Sequence, residues 1–139
     1  MADTQFALES DSPALPDLMF WQLLGVESFS RPSRFLLAVL SKNRQISPDD
    51  VLGKSFTLKL EFQDAGNASH KRSYQGYATR MRRVGDVAER HCMYHIELDS
   101  WFGLLRHRTN ARIFQEKAVD EILKTVLQDP GICTVENVD

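Results

Sequence analysis

The chain has 139 residues, enough for one domain with its own hydrophobic core, or for one domain and the start of another. A formal net charge of −2 with 26% charged residues excludes a protein held to nucleic acid or membrane by its overall charge. The acidic N-terminus has no apolar core, and no run approaches the ~20 apolar residues of a membrane span, so we expect neither a Sec signal nor membrane anchoring.

The first part of the chain predicts a flexible arm followed by two buried strands. Pro13 and Pro16 interrupt any regular element in residues 1–17, which are therefore expected to form a flexible N-terminal arm. The runs LMFWQLLGV (residues 18–26) and FLLAVL (residues 35–40) are apolar on both faces and are joined by a polar loop. Such runs are typical of strands covered on both sides.

The stretch VLGKSFTLKLEF, residues 51–62, contains a Gly-Lys-Ser sequence that resembles the end of a phosphate-binding loop. A phosphate-binding loop also needs a glycine at the position of Pro48 and a helix after Ser55. Instead, apolar and polar residues alternate from Ser55 onwards, which predicts a strand with one face in the core. The inward residues of that strand are Phe56, Leu58, Leu60 and Phe62.

The remaining elements are a hairpin, a short helix and an amphipathic helix. Residues 74–84 and 91–98 predict paired strands, with a turn at residues 84–87 and a bulge or bend at Gly76. Asp99 or Ser100 is expected to cap a short helix that begins near Trp101. From Lys117 the apolar residues follow a helical period and form one face. These are Val119, Ile122, Leu123, Val126 and Leu127.

The sequence has few residue patterns that indicate a metal, cofactor, catalytic or redox site. His91 and His95 share one face of a predicted strand, but the sequence supplies no evident third metal ligand, so we expect no metal and no cofactor. Catalytic motifs are missing, so we expect no catalytic residues and no enzyme. Cys92 and Cys133 fit no metal or redox spacing and are most simply reduced.

A basic middle segment leaves a nucleic-acid-binding module open as an alternative. Residues 71–112 hold nine Lys or Arg against four Asp or Glu. Arginines and tyrosines on a small barrel can bind single strands by charge and stacking. The tyrosines in question are Tyr74, Tyr77 and Tyr94, and the arginines are Arg80, Arg82, Arg83, Arg106, Arg108 and Arg112.

The order of motifs over residues 24–128 resembles the N-terminal hub region of VgrG proteins of type VI secretion systems. That region is similar to the baseplate hub of contractile-tailed phages. VESFSRPSRFLLAVLS matches the family's turn into a strand, LGKSFTL its next strand start, and ARIFQ its segment before an amphipathic helix. The signature residues that we carry over are structural: Ser30, Pro32, Phe35, Gly53, Gly76, Trp101, Arg112, Ile113, Phe114 and Gln115.

The resemblance implies a mainly β fold with some helix (α+β), a phage-tail-hub-like β-barrel with a short helix and a C-terminal amphipathic helix. The expected organisation is the arm at residues 1–17, a barrel hub domain at residues 18–99 and the start of a second hub segment at residues 100–139. The implied function is a structural part of the puncturing device, with a phage tail baseplate hub as the alternative.

The resemblance also implies partners and location. The expected partners are copies of the chain in a homotrimer, a hexameric inner-tube protein, and effector or baseplate proteins, without nucleic acid. The expected location is the cytoplasm before firing, followed by secretion through the type VI apparatus without a signal peptide.

Overall fold

The computed structural model describes residues 5–63, 68–87, 90–107, 109 and 111–128. These residues fall into two compact units that divide after Ser100. The strands are β1 (Gln5–Ser10), β2 (Met19–Ser28), β3 (Arg31–Ser41), β4 (Ser55–Gln63), β5 (Ser69–Val87) and β6 (His91–Asp99). The 3-10 helices are Leu15–Asp17, Pro48–Asp50 and Trp101–His107, and α1 spans Val119–Leu127. The predicted mainly β composition is confirmed.

The six strands form one antiparallel sheet in the order β1-β4-β5-β6-β3-β2. The sheet is not closed into a barrel, because its edge strands β1 and β2 are not hydrogen-bonded to each other. The two edges do approach, since the ring centroids of Phe6 in β1 and Phe20 in β2 lie 5.2 Å apart in a stacked arrangement. We therefore call this unit an open barrel, with a seam between β1 and β2.

The core lies inside the open barrel and comes from alternate residues of its strands. Phe56 and Leu58 of β4 are buried, while Leu60 and Phe62 are half-buried, so the predicted strand and its inward face are confirmed. The other inward residues include Phe35, Leu37 and Val39 of β3 and Cys92, Tyr94, Ile96 and Leu98 of β6. As β3 lies between β2 and β6, it has the central position that its apolar run predicts.

Hydrogen bonds tie β6 to the connection that follows β3. The Cys92 thiol donates to the carbonyl oxygens of Ser41 (3.3 Å) and Asn43 (3.2 Å), and the Tyr94 hydroxyl donates to that of Asn43 (3.1 Å). Burial raises the pKa of Tyr94, so its hydroxyl stays protonated at neutral pH and remains a donor. Cys92 is a buried free thiol, and Cys133 lies outside the described residues.

Two sequence-based expectations for the first part of the chain are wrong. The segment expected to be a flexible arm contains β1, which pairs with β4 from Gln5–Glu61 to Ser10–Phe56. The outer β4 edge offers backbone partners to any extended segment, and the large apolar residues Phe6 and Leu8 are two positions apart, as in a strand. β2 is not buried on both faces, because Trp21 and Val26 are exposed. It is also an edge strand of the sheet, with β3 as its hydrogen-bonded neighbour.

The predicted turn at residues 84–87 is also wrong. β5 continues to Val87, and Gly85 pairs with Met93 after a register shift that follows Arg83. The glycine therefore accommodates a bulge inside the strand, which is a common use of glycine in sheets. The ion pairs Arg83–Asp86 and Arg80–Glu97 of β5 lie at the exposed surface.

The second unit contains a 3-10 helix and α1. The rings of Trp101 and Phe102 meet edge to face, with centroids 5.7 Å apart. The helix predicted from Lys117 is confirmed as Val119–Leu127, and its apolar face includes the exposed residues Val119, Leu123 and Val126. The predicted stop at residues 129–131 lies outside the described residues. In the described part of the chain, the search for a helix long and apolar enough to cross a membrane found none.

Candidate functional site

Two of the signature residues lie at the tip of the hairpin that joins β2 to β3. Ser30 is in its two-residue turn, and Pro32 follows at the start of β3, where both are exposed. Phe29, the other turn residue, has a relative exposure of 114%, so none of the described residues covers its ring. The hairpin tip therefore presents a bare aromatic ring to its surroundings.

Phe35 and Gly76 serve the packing of the open barrel. Phe35 is 5% exposed and meets the Tyr74 ring edge to face, at 5.7 Å between centroids. Its ring occupies the space over Gly25, where an added Cβ would stand 2.3 Å from the Phe35 Cδ1 atom. Gly76 is similarly close to β6, since an added Cβ would lie 2.9 Å from the Leu98 Cβ and 3.1 Å from the Asp99 carbonyl oxygen. Gly25 thus lets β2 lie close to the Phe35 ring of β3, and Gly76 lets β5 lie close to β6.

Gly53 has a conformational role just before β4. Its φ of 74° is in the left-handed region, which favours glycine. Its amide donates to the Ala78 carbonyl oxygen (2.8 Å), and the Ala78 amide donates to the carbonyl oxygen of Lys54 (2.9 Å). The Ser55 amide donates to the Asp11 carboxylate at 2.7 Å. Since a strand follows Ser55, no helix N-terminus is formed there to receive a phosphate.

The other signature residues belong to the second unit. Trp101 opens the 3-10 helix, and Arg112 to Gln115 lie in an irregular segment before α1. Ile113 is 90% exposed, whereas Phe114 is half-buried. The signature residues thus divide between the two units, five in each.

The open end of the barrel holds a feature that sequence reasoning missed. A cavity of about 430 Å³ lies beside the seam and is lined mainly by apolar residues from β1 to β5. At its mouth, Arg72 of β5 forms an ion pair with Glu27 of β2 (2.5 Å between Nη2 and Oε2). The Arg72 guanidinium also lies 4.8 Å from the centroid of the Tyr74 ring. The apolar lining residues are Phe6, Phe20, Leu23, Gly25, Phe35, Leu58, Leu60 and Tyr74.

Asp99, which the sequence suggested as a helix cap, has another role. Its side chain is 2% exposed and accepts hydrogen bonds from the Arg34 Nε (2.9 Å) and the Thr79 hydroxyl (3.0 Å). These partners come from β3 and β5, the two neighbours of β6. The carboxylate therefore joins three strands at one end of the sheet, and a buried carboxylate is tolerated because both interactions compensate its lost hydration.

Replacing Arg34 by alanine is expected to lower the free energy of unfolding by about 1–3 kcal/mol, because the buried Asp99 carboxylate loses its cationic partner. Urea unfolding followed by circular dichroism measures the loss. The matched control is Arg80→Ala, whose partner Glu97 is at the surface, and its expected effect is within about 0.5 kcal/mol. Equal losses in the two variants would contradict the role given to Asp99.

The structure also bears on the alternatives left open by the sequence. Tyr74 and Tyr94 pack against or within the core, so two of the three tyrosines are not available as stacking platforms. Arg80 and Arg83 face carboxylates, which weakens the basic face needed for binding single strands. His95 lies 3.5 Å from Arg82, and no group of three or more metal-ligating side chains is present among the described residues.

Comparisons with known proteins agree on one family. The model of the phage tail baseplate hub (GPD) family matches residues 26–137. Two curated relatives are the type VI secretion system spike proteins VgrG1b and VgrG1c of Pseudomonas aeruginosa, which are 30% and 31% identical over 128 residues. Those residues make up 91% of this chain and 17% of each relative, so the chain spans about a sixth of their length.

A solved structure shows the same fold. It is the c3393 protein of E. coli, described as a type VI secretion component with structural similarity to the T4 bacteriophage tail proteins gp27 and gp5. It superimposes with a TM-score of 0.68 at 20% identity and covers 92% of this chain and 33% of that one. At that identity the match carries the fold alone.

Proposed function

Because the chain belongs to the phage tail baseplate hub family, we propose that it is a structural hub component of a type VI secretion puncturing device. The observation that carries the proposal is the match of residues 26–137 to the hub family, together with spike proteins as relatives. The relatives are named as spike proteins, which favours a structural rather than an enzymatic role for this chain.

The proposed mechanism is mechanical. Copies of the chain assemble, as a homotrimer in the family's manner, and dock on the hexameric inner tube, and the assembly is expelled when the sheath contracts. Effector or baseplate proteins are further proposed partners. On this proposal the chain resides in the cytoplasm before firing and then leaves through the type VI apparatus. A rigid sheet suits this work, because docking on a tube needs a surface whose shape persists under load.

The signature residues have a supporting part in this proposal. Phe35, Gly53 and Gly76 set strand packing and turn geometry in the open barrel, and no ligand is needed to explain them. We propose that the barrel domain comprises residues 18–99, now extended by β1, and that residues 100–139 begin a second hub segment. Within that segment, Arg112, Ile113, Phe114 and Gln115 would lie on the connection from the 3-10 helix Trp101–His107 to α1.

A phage tail baseplate hub is the second candidate, favoured by the description of the family itself. Mixing the purified chain with a type VI tube hexamer, and separately with a phage tail tube protein, distinguishes the two. Light scattering on a sizing column is expected to show a stable complex with the type VI tube, heavier than the tube alone. Binding to the phage tube only would favour the alternative, and binding to neither would contradict a hub role for this chain.

A further inference from the structure

We propose that the tip of the β2–β3 hairpin is a movable arm, which the Glu27–Arg72 ion pair holds over the mouth of the barrel cavity. The arm comprises residues 26–33. The pairing of β3 with β6 begins at Arg34, so the two strands of the arm have only each other as neighbours in the sheet. A hairpin of two strands without a third is only marginally stable in water. This inference concerns the chain alone and does not rest on the proposed hub function.

The base of the arm is attached to the barrel. The Arg34 Nε donates to the buried Asp99 carboxylate at 2.9 Å. The Ser100 amide donates to the Ser33 carbonyl oxygen at 3.1 Å. These contacts keep the start of the arm in place and leave its far end free to move.

A bulge lies between the base of the arm and its tip. Val26 pairs with Arg34 and Ser28 pairs with Arg31, so between these pairs β3 has two residues opposite one residue of β2. A bulge interrupts the hydrogen-bonded ladder and lets the strand bend. One of the two residues is Pro32, which has no amide hydrogen to donate. The hairpin can therefore bend here without breaking a regular pair of the sheet.

One ion pair holds the arm beyond its base. The Glu27 carboxylate accepts from the Arg72 Nη2 of β5, and apart from the Ser33 carbonyl no other polar contact joins the arm to the other described strands. Phe29 at the tip is exposed, so its ring adds no packing. The Arg72 guanidinium also lies 4.8 Å from the centroid of the Tyr74 ring, which keeps it in position when the carboxylate leaves.

The ion pair is weak enough to open. The side chains of Arg72 and Glu27 are 56% and 45% exposed, and an ion pair between exposed charges shifts an equilibrium by up to about fivefold and is screened by salt. Glu27 is the arm residue that lines the cavity, so release of the ion pair withdraws the arm from the mouth. The arm is therefore a salt-sensitive lid on the barrel cavity.

The position of the arm can be measured as the distance between two spin labels on the full chain. Phe29→Cys places one label at the tip, and Gln63→Cys places the other at the exposed end of β4. Cys92 is buried and stays unlabelled, and Cys133→Ser removes the other thiol. Electron–electron double resonance is expected to show two distances, one for the docked arm and one for the released arm.

Arg72→Met and Glu27→Gln each remove the ion pair and are expected to raise the ratio of released to docked arm about two- to fivefold. Sodium chloride at ~0.5 M should have the same effect without a substitution. The double variant Glu27→Arg, Arg72→Glu reverses both charges and is expected to restore the docked arm. Arg80→Met is the matched control, because its ion pair with Glu97 is exposed on the same strand but does not involve the arm. It is expected to leave the ratio unchanged.

Access to the cavity is measured separately with Leu23→Cys, which places a thiol in the cavity wall. In the chain with Cys133→Ser, its reaction with N-ethylmaleimide is expected to be about two- to fivefold faster when Arg72→Met releases the arm. A single distance that neither salt nor the variants change overturns the proposal, as does a charge-reversed chain that does not regain the docked arm. Release of the arm without a faster reaction at position 23 would mean that the arm does not cover the cavity, and would also overturn it.

Discussion

Replacing Phe56 by alanine is expected to lower the free energy of unfolding by about 3–5 kcal/mol. Phe56 is completely buried in β4, in the hydrophobic cluster of the open barrel. The substitution removes a whole aromatic side chain and leaves a void that the surrounding strands cannot fill without distorting their hydrogen-bonded register. Domains of this size have about 5–15 kcal/mol of stability in all, so the variant should lose a large share of it.

Two further variants show whether burial is the cause. Phe56→Leu keeps most of the apolar volume and is expected to cost less than about 1.5 kcal/mol. Phe29→Ala removes the same ring from a fully exposed position and should change stability by no more than about 0.5 kcal/mol. Urea unfolding followed by circular dichroism, at a concentration where the chain is monomeric, measures all three. A small loss for Phe56→Ala would mean that β4 does not face the core.

Strands with a strong pattern were predictable from the sequence. β4 alternates strictly over Ser55–Gln63, and one residue of slippage would have turned Phe56 and Leu58 to solvent. β3 was recognisable as central because its apolar run has no polar face. α1 was recognisable because its apolar residues repeat every three or four positions.

Edges of the sheet were not predictable, because strand order is a property of the whole fold. β2 has a long apolar run interrupted by Gln22, yet one side of β2 has no hydrogen-bonded neighbour in the sheet. β1 has only six residues, and its pairing partner β4 lies some 45 residues further along the chain. Pro13 and Pro16 lie beyond β1, which ends at Ser10, so they do not prevent the strand.

The candidate site was predictable only where a residue type carries its own signal. Gly53 and Gly76 drew attention because glycine before or within a strand usually marks a turn or a close approach. Glu27 and Arg72 are separated by 45 residues, and nothing in either position signals that they meet at the barrel mouth. Nothing near Asp99 in the sequence signals that it is buried, and its burial appears only when β3, β5 and β6 are assembled.

Replacing Gly76 by valine is expected to lower the free energy of unfolding by about 1–3 kcal/mol or more, through overpacking. Gly76 pairs with Phe56 on β4, and its Cα faces the end of β6. A Cβ there would stand 2.9 Å from the Leu98 Cβ and 3.1 Å from the Asp99 carbonyl oxygen, both of which belong to or adjoin the backbone and cannot swing aside. The strands would have to separate, next to the buried Asp99 carboxylate.

Gly85→Ala in the same strand is the matched control, because no atom of the described residues, apart from its chain neighbours, lies within 4 Å of an added Cβ. In an extended backbone without a clash, alanine restricts the unfolded chain and is expected to be neutral or to stabilise by about 0.4–1 kcal/mol. Thermal unfolding measures the stability of Gly76→Val, Gly76→Ala and Gly85→Ala. The differences report how much space surrounds positions 76 and 85 of β5. If Gly76→Ala were as stable as Gly85→Ala, β5 and β6 would have room to spare at this end, and the close approach that we assign to Gly76 would be wrong.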